Sequence, residues 1–278
     1  MSQKIRKPAV AGMFYPAIKN KLKNLIEDID RQEEANFDPD LEQYKIIGGI
    51  VPHAGYMYSG YQAVHFFKVL KKSEQAIDTV VIINPNHRGM GPGVAVDDNS
   101  AWTTPLGDME VDSEFCRALD IPVSSSAHDN EHSGEVMVPF LQYYLEEPIK
   151  IAPISMADQS YETAADLARK IDTAVSETGK KIVIIASNDF SHFVDPNEGY
   201  KLDNLVYEKI EQLDAKGVFD TIRKDNISVC GYGPIMTLIE YSNLKFPGTK
   251  TSLLRRGNSG DISPSTNVVN YICTLFYL

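Results

Sequence analysis

Four short runs of the chain are apolar at nearly every position: Ile46–Val51, Thr79–Ile83, Ile149–Ile154 and Ile182–Ala186. A strand with one wet face alternates apolar and polar residues, whereas a strand covered on both faces does not. These runs therefore predict strands buried between helices. Between and around them, Lys19–Asp30, Tyr61–Leu70, Val136–Leu145, Tyr161–Val175 and Leu202–Leu213 repeat apolar residues about every 3.6 positions, the period of a helix with one buried face. Strand and helix alternate, which predicts an α/β/α sandwich around a mainly parallel sheet.

The last third departs from that rhythm. A Cys-Gly-Tyr-Gly-Pro turn (230–234) leads into an apolar helix, Ile235–Tyr241, and two strands follow, Thr251–Arg256 and Val268–Leu278. An antiparallel pair at or near the sheet would make that sheet mixed. The polar stretch Glu33–Asp40 reads as a surface loop. No repeat, low-complexity tract or linker interrupts the chain, so residues 1–278 read as a single domain.

Composition narrows the function classes. A chain of 278 residues, 43% hydrophobic and 23% charged, can bury a large core without staples. Its net charge of −11 is spread among interspersed acids and bases, which argues against nonspecific binding to nucleic acid or anionic membrane. The three cysteines, Cys116, Cys230 and Cys273, include no C-x-x-C. Neither a disulfide framework nor a zinc ribbon is supported, and a reducing compartment fits. Met1–Pro8 has no apolar leader core, and no apolar run approaches the ~20 residues of a membrane span. The expectation is a cytoplasmic protein.

The chemistry sits where strands end. Ile46–Val51 runs into Pro-His-Ala-Gly-Tyr (52–56), Thr79–Ile83 into Asn-Pro-Asn-His-Arg-Gly (84–89), and Ile182–Ala186 into Ser-Asn-Asp-Phe-Ser-His (187–192). In open parallel sheets, ligands bind outside the carboxyl ends of the strands. If the strands are parallel, His53, His87, Asp189 and His192 share one sheet edge. Each histidine alone reads equally as a turn residue; the threefold recurrence points to a site. Asp189 beside His192 suits proton transfer. Cys230 precedes a helix start, where the dipole favours a thiolate, while Cys116 and Cys273 read as buried residues.

His128-Asp-Asn-Glu-His132 has the H-x-x-E-H spacing of inverted zinc peptidases. That spacing works only on a continuous helix, and the flanking Ser124–Ala127 and Ser133-Gly134 predict a loop. His132 and Glu135 remain candidates for supporting groups or substrate contacts. Tyr15, Tyr56, Tyr58 and Trp102 read as pocket lining or as core, with Tyr56 kept as a binding candidate. His65, beside Phe66 and Phe67, reads as structural.

Taken together, Arg6–Pro16, Val51–Tyr56, Asn84–His87, Glu131–Glu135, Ser187–His192 and Cys230–Ile235 resemble the Memo family, whose prokaryotic members are called AmmeMemoRadiSam system protein B. The resemblance implies a fold like that of the LigB-type class III extradiol dioxygenases. It also implies His53, His87 and Cys230 as metal ligands, with Cys230 where the dioxygenases have a carboxylate. His192 falls at the acid/base position, with Asp189 beside it. The metal implied is Fe(II); the thiol admits Cu or Zn. A phosphotyrosine peptide is a further ligand implied by the family, as is a functional link to radical-SAM and AMMECR-type proteins.

Three readings stay open at this point: a metal-dependent redox or oxygenase-like enzyme acting on a small molecule, a non-catalytic peptide- or small-anion-binding module, and a metal-free Cys/His nucleophilic enzyme.

Overall fold

The all-apolar runs become four adjacent parallel strands. In a computed structural model, which describes residues 4–145 and 148–278, they are β2 (Ile46–Val51), β3 (Thr79–Pro85), β7 (Lys150–Met156) and β8 (Ile182–Ser187), flanked in the chain by β1 (Ile5–Arg6), β4 (Val94–Val96), β5 (Ala101–Thr104), β6 (Gly107–Glu110), β9 (His192–Val194), β10 (Lys250–Asn258) and β11 (Val268–Tyr277). The main sheet runs β10-β11-β2-β8-β3-β7-β4. Its centre, β2-β8-β3-β7, is parallel, while β4, β10 and β11 pair antiparallel. The antiparallel C-terminal hairpin is therefore where its composition placed it, and the sheet is mixed.

Two glycines show how the layers close. Gly48 and Gly49 are consecutive in β2, so their Cα–H bonds face opposite sides of the sheet. A Cβ on Gly48 would strike Leu238, and one on Gly49 would strike the Phe66 ring. Leu238 belongs to helix α8 (Tyr232–Lys245) and Phe66 to α2 (Tyr56–Lys72). The two helices thus press on opposite faces, and the architecture is an α/β/α sandwich. Beside α2 lie α1 (Lys19–Glu33) and α4 (Val138–Tyr144); beside α8 lie α5 (Tyr161–Thr178) and α7 (Ala215–Asp225). Helices α3 (Ser113–Ala118) and α6 (Pro196–Glu211) complete the set. The β-strand residues Val80–Ile83 and Val183–Ala186 are wholly buried between these layers.

Local chemistry sets the ends. Helix α5 begins where the Ser160 hydroxyl accepts from the Thr163 amide and stops at Gly179, whose φ of 66° costs glycine little. Three differences from the sequence pattern have physical causes. Glu33–Asp40 is not a plain surface loop: Glu33 closes α1 as a buried residue, and 3-10 turns at Glu34–Asn36 and Pro39–Gln43 follow. Helix α7 escapes the pattern because Gly217 interrupts it, yet the Asp214 side chain caps it by accepting from Gly217 N. The small sheet β1-β5-β6 has strands too short to show a period. Residues 1–3, part of the stretch read for a leader, lie outside the described residues.

Candidate metal centre

Parallel pairing aligns the three histidine loops. Val51 sits opposite Ser187, and Ile83 opposite Ala186, so β2, β8 and β3 end level with one another. Their loops open on a cleft of about 600 Å³ lined by His53, His87, His132, Asp189 and His192 among others. A larger hollow of about 790 Å³ opens at the other end of β3 and β7. Two of its charged residues are committed to neighbours, Lys180 to Glu114 and Lys150 to Glu110, and no histidine or cysteine among the described residues lines it. The chemistry belongs to the first.

Within the cleft, ligand atoms of His53, His87 and His132 all lie within 4.8 Å of one another. Each ring has its Nδ1 at an outer partner. His53 Nδ1 meets the Ser187 hydroxyl at 2.8 Å. His87 Nδ1 and the His87 amide both donate to Glu131, at 2.9 and 2.6 Å. His132 Nδ1 is 3.3 Å from the same carboxylate oxygen as His87 Nδ1. With Nδ1 engaged, Nε2 is the nitrogen each ring offers, which is how metal-ligating histidines are oriented. Glu131 also accepts from the Ser133 amide and hydroxyl. Burial works to raise its pKa, but the His87 and Ser133 hydrogen bonds hold the carboxyl down at about 2. Burial pushes His53 well below its ordinary value, with His132 and His87 adding to the effect. It pushes His132 down to about 4. Neutral imidazoles are the form that binds a metal.

Cys230 stands at the edge of this group. Its Sγ is 3.2 Å from His53 Nε2 and accepts from the Asp189 amide at 3.2 Å. Burial, and then the charge of Asp189, push its pKa well up. In the metal-free chain these two effects run against the thiolate expected of a helix start. Asp189 accepts from the His53 amide at 2.8 Å, and its Oδ2 lies 3.9 Å from His53 Nε2. Burial raises Asp189 to about 6 against the pull of that amide and of His192 and His87. His192 donates through Nδ1 to the Ser228 carbonyl at 2.7 Å, so the neutral ring keeps a free lone pair on Nε2. The Ser228 hydroxyl accepts from the His192 amide and fixes the loop.

Not every candidate reaches the cleft. Glu135 is 1% exposed and holds the N-terminal arm instead, accepting from Arg6 at 2.7 Å, from the Ala9 and Val10 amides, and from the Tyr15 hydroxyl. Its influence is indirect: the arm carries Phe14, whose ring packs on His132 at 4.7 Å. Tyr56 is core, stacked on Phe140 with its hydroxyl donating to Val136 O. Trp102 donates to Asp97 under the Arg6 guanidinium. His128 turns away to the Ala95 carbonyl, and His128–His132 is no continuous helix, so the peptidase spacing is coincidental. Glu131 is the functional candidate that sequence reasoning did not single out. Its signal was present: an acid next to a strand-facing histidine, inside a stretch read for a different motif.

A family model described as "Memo-like protein" matches residues 6–275. The chain belongs to the Memo-like family. A MEMO1 family protein of Methanosarcina mazei is 39% identical over 272 residues, covering 95% of this chain and 96% of the relative. One from Desulfurococcus amylolyticus is 39% identical over 288 residues, covering 99% and 100%. A solved structure, the uncharacterized protein JW3007 of Escherichia coli K12, superposes with a TM-score of 0.48 at 11% identity over 82% of this chain and 99% of that one. In this family member no helix among the described residues is long and apolar enough to cross a membrane.

Proposed function

We propose that this Memo-like protein is a metal-dependent enzyme of redox or oxygenase-like type, acting on a small molecule in the cleft. The observation that carries the reading is the trio His53, His87 and His132, whose ligand atoms lie within 4.8 Å of one another and whose Nδ1 atoms each have an outer partner. The donors fit a transition metal: imidazoles plus one adjacent thiol suit Fe, Cu or Zn and leave Mg and Ca poorly served. His53 and His87 would hold the ion, with Cys230 and His132 as the flanking donors. Fe(II) is the ion the family resemblance favours. Such an ion supplies Lewis acidity and an open coordination position for substrate.

The chain's own residues supply the rest. Glu131 and Ser187 aim the rings. His192, fixed through Nδ1, takes or gives a proton at Nε2. Asp189, raised to about 6, changes protonation near neutral pH beside it. From the same family resemblance we propose a functional link to radical-SAM and AMMECR-type proteins, in a reducing cytoplasmic setting that suits the free thiols of Cys116, Cys230 and Cys273. The metal-free nucleophile reading loses ground: the imidazole at Cys230 is that of His53, and the thiol is held protonated.

The test is anaerobic purification with quantitation of bound Fe, Cu and Zn, and then O₂ uptake with added small-molecule substrates. Near-stoichiometric metal in the wild type and its loss in the Cys230→Ala/His53→Ala variant are expected. Equal, negligible metal in both overturns the reading. Bound metal with no turnover of any substrate leaves the binding-module reading in its place.

A further inference from the structure

Behind His192 lies a buried carboxylate that is no part of the cleft wall. Asp203 of α6 is 0% exposed and does not line the cleft. Its Oδ1 accepts from the Ser191 hydroxyl at 2.5 Å and from the Ser191 amide at 3.1 Å. Its Oδ2 accepts from Asn270 Nδ2 at 2.6 Å, and Arg256 Nη2 stands 3.9 Å away. Burial raises its pKa against the pull of these partners. A wholly buried acid is costly unless its partners compensate, so the groups it holds point to its role.

Those groups belong to the loop that carries the acid/base candidate. Ser191 immediately precedes His192. The Phe190 amide donates to the Asn270 carbonyl, and the Asn270 amide donates to the Ser191 carbonyl. Beyond Ser191, His192 is tied to Ser228 through its amide and Nδ1. The next residue, Phe193, sits at φ 57°, in the left-handed region that a bulky residue disfavours. Phe193 is 75% exposed, so packing does not hold it there. A strained residue persists only where its surroundings over-determine it. Here they do so by hydrogen bonds, from Asp203 and Asn270 before His192 and from the pairing of β9 with β11 around it. Helix α6 is shaped to deliver the carboxylate. Gly199 lies one turn before Asp203 on the same face, and a Cβ there would come within 2.5 Å of Asn270 Nδ2 and 2.8 Å of Val194. A side chain at 199 would push the helix off β11 and draw Asp203 away from Ser191.

We infer that Asp203 is the positioning residue of the proposed acid/base: through Ser191 it fixes the His192 imidazole in the form that donates at Nδ1 and keeps Nε2 bare. This rests on the reading of His192 as the group that moves a proton, and it names what sets that ring. A carboxylate that only ties α6 to the sheet would stabilise the fold and leave the His192 tautomer unchanged, so the two roles separate on one measurement.

The test is nitrogen-15 NMR of the histidine-labelled full chain in EDTA at about pH 8, where an ordinary imidazole is neutral. The His192 signals are identified by their loss in His192→Gln. In the wild type they are expected well separated, Nδ1 protonated and Nε2 bare. In Asp203→Leu they are expected to lose that separation as the tautomers interconvert. Asp203→Asn is expected to restore the wild-type pattern. Its Oδ1 still accepts from Ser191, and its amide can donate to Asn270 Oδ1, a buried atom with no protein partner, once the Asn270 amide turns over. Urea midpoints report stability separately. A folded Asp203→Leu chain with wild-type His192 signals overturns the inference, whatever its loss of stability. Equal changes in Asp203→Leu and Asp203→Asn also overturn it, because they trace the effect to lost charge and not to the hold on Ser191. Should Asp203→Leu not fold, Ser191→Ala, which removes the 2.5 Å hydrogen bond, is read in its place by the same criterion. Absence of metal in the purified protein would sink the enzyme reading and leave the tautomer result standing.

Discussion

Among the described residues two histidine–carboxylate clusters hold a buried histidine, and only one of them opens on a cleft. In the first, His53, His87 and His132 gather around Glu131 and Asp189 at the strand ends. In the second, His65 of α2 meets Glu33 of α1 at 3.0 Å, and Glu33 receives Arg255 of β10 at 2.7 Å. One histidine of each is equally buried, since His53 and His65 are both 2% exposed, while His87 and His132 are more open. The direction of titration is the same too: burial lowers both histidines. What differs is closure. At Glu33 the cation, the imidazole and the carboxylate face one another, with Asn36 adding a further donor, and none of them lines the cleft. At Glu131 the carboxylate takes only the outer nitrogens, which leaves the inner ones facing a cavity. A shifted pKa therefore marks both clusters, and what sets the first apart is that Glu131 engages His87 and His132 through Nδ1 alone at the wall of a cleft.

The largest effect expected is on metal affinity. His53→Ala or His87→Ala should weaken binding of the preferred ion by at least about 100-fold in equilibrium titration. His65→Ala should leave it within about twofold. Equal losses at His53 and His65 would erase the distinction between the clusters. Comparing Cys230→Ala with His132→Ala in the same titration ranks the two flanking donors. A loss confined to Cys230 assigns the third ligand to the thiol, and one confined to His132 assigns it to the imidazole.

Next in size is the support. Glu131→Gln keeps the shape but weakens the hold on His87 and His132, and outer partners of this kind are worth about 10–100-fold in affinity. The variant should still bind metal, more weakly, with its urea midpoint nearly unchanged. An affinity identical to wild type would make Glu131 a loop anchor only.

How far the sequence shows this division can be read residue by residue. The strands were legible because burial on both faces removes polar residues, and His53, His87 and His192 because each follows such a run. Parallel pairing was an inference that the register of β2, β3 and β8 bears out. His132 was visible only as a neighbour of the pocket, because its place depends on the Glu131–Glu135 loop folding back over the strand ends. Glu135 was misread for the same reason: two acids four residues apart in one loop face different partners, Glu131 the cleft and Glu135 the N-terminal arm. The Glu33 cluster was invisible, since its members are 222 residues apart in the chain. Side-chain patterns report burial; they do not report which buried partner completes a hydrogen bond.

Stability should separate the clusters in the opposite sense to metal. Glu33→Ala leaves His65 and the half-exposed Arg255 without their common acceptor. A loss of about 2 kcal/mol is expected for orphaning such groups, measured by urea unfolding, with metal affinity unchanged. A variant as stable as wild type would show that the cluster is dispensable to the fold.

The smallest effect is the most discriminating. His65 and His128 are buried and their pKa values are lowered chiefly by that burial, so the folded chain favours their neutral form. The unfolded chain takes up these protons below about pH 6.5. Stability from each is therefore complete above that pH and is lost as pH falls, by at most about 1.4 kcal/mol per pH unit per group. His53 and His132 add to this acid limb in the metal-free chain, His132 down to about 4. Bound metal competes with protons for the site histidines but not for His65. Unfolding free energies measured between pH 7.5 and 5.0, with and without metal, should show a steeper acid loss for the loaded protein, because protons must also displace the ion. His65→Gln should reduce the slope by the same small amount in both states. If that substitution changed the slope only when metal is bound, the two clusters would be coupled, and their separation into one structural and one functional histidine group would fail.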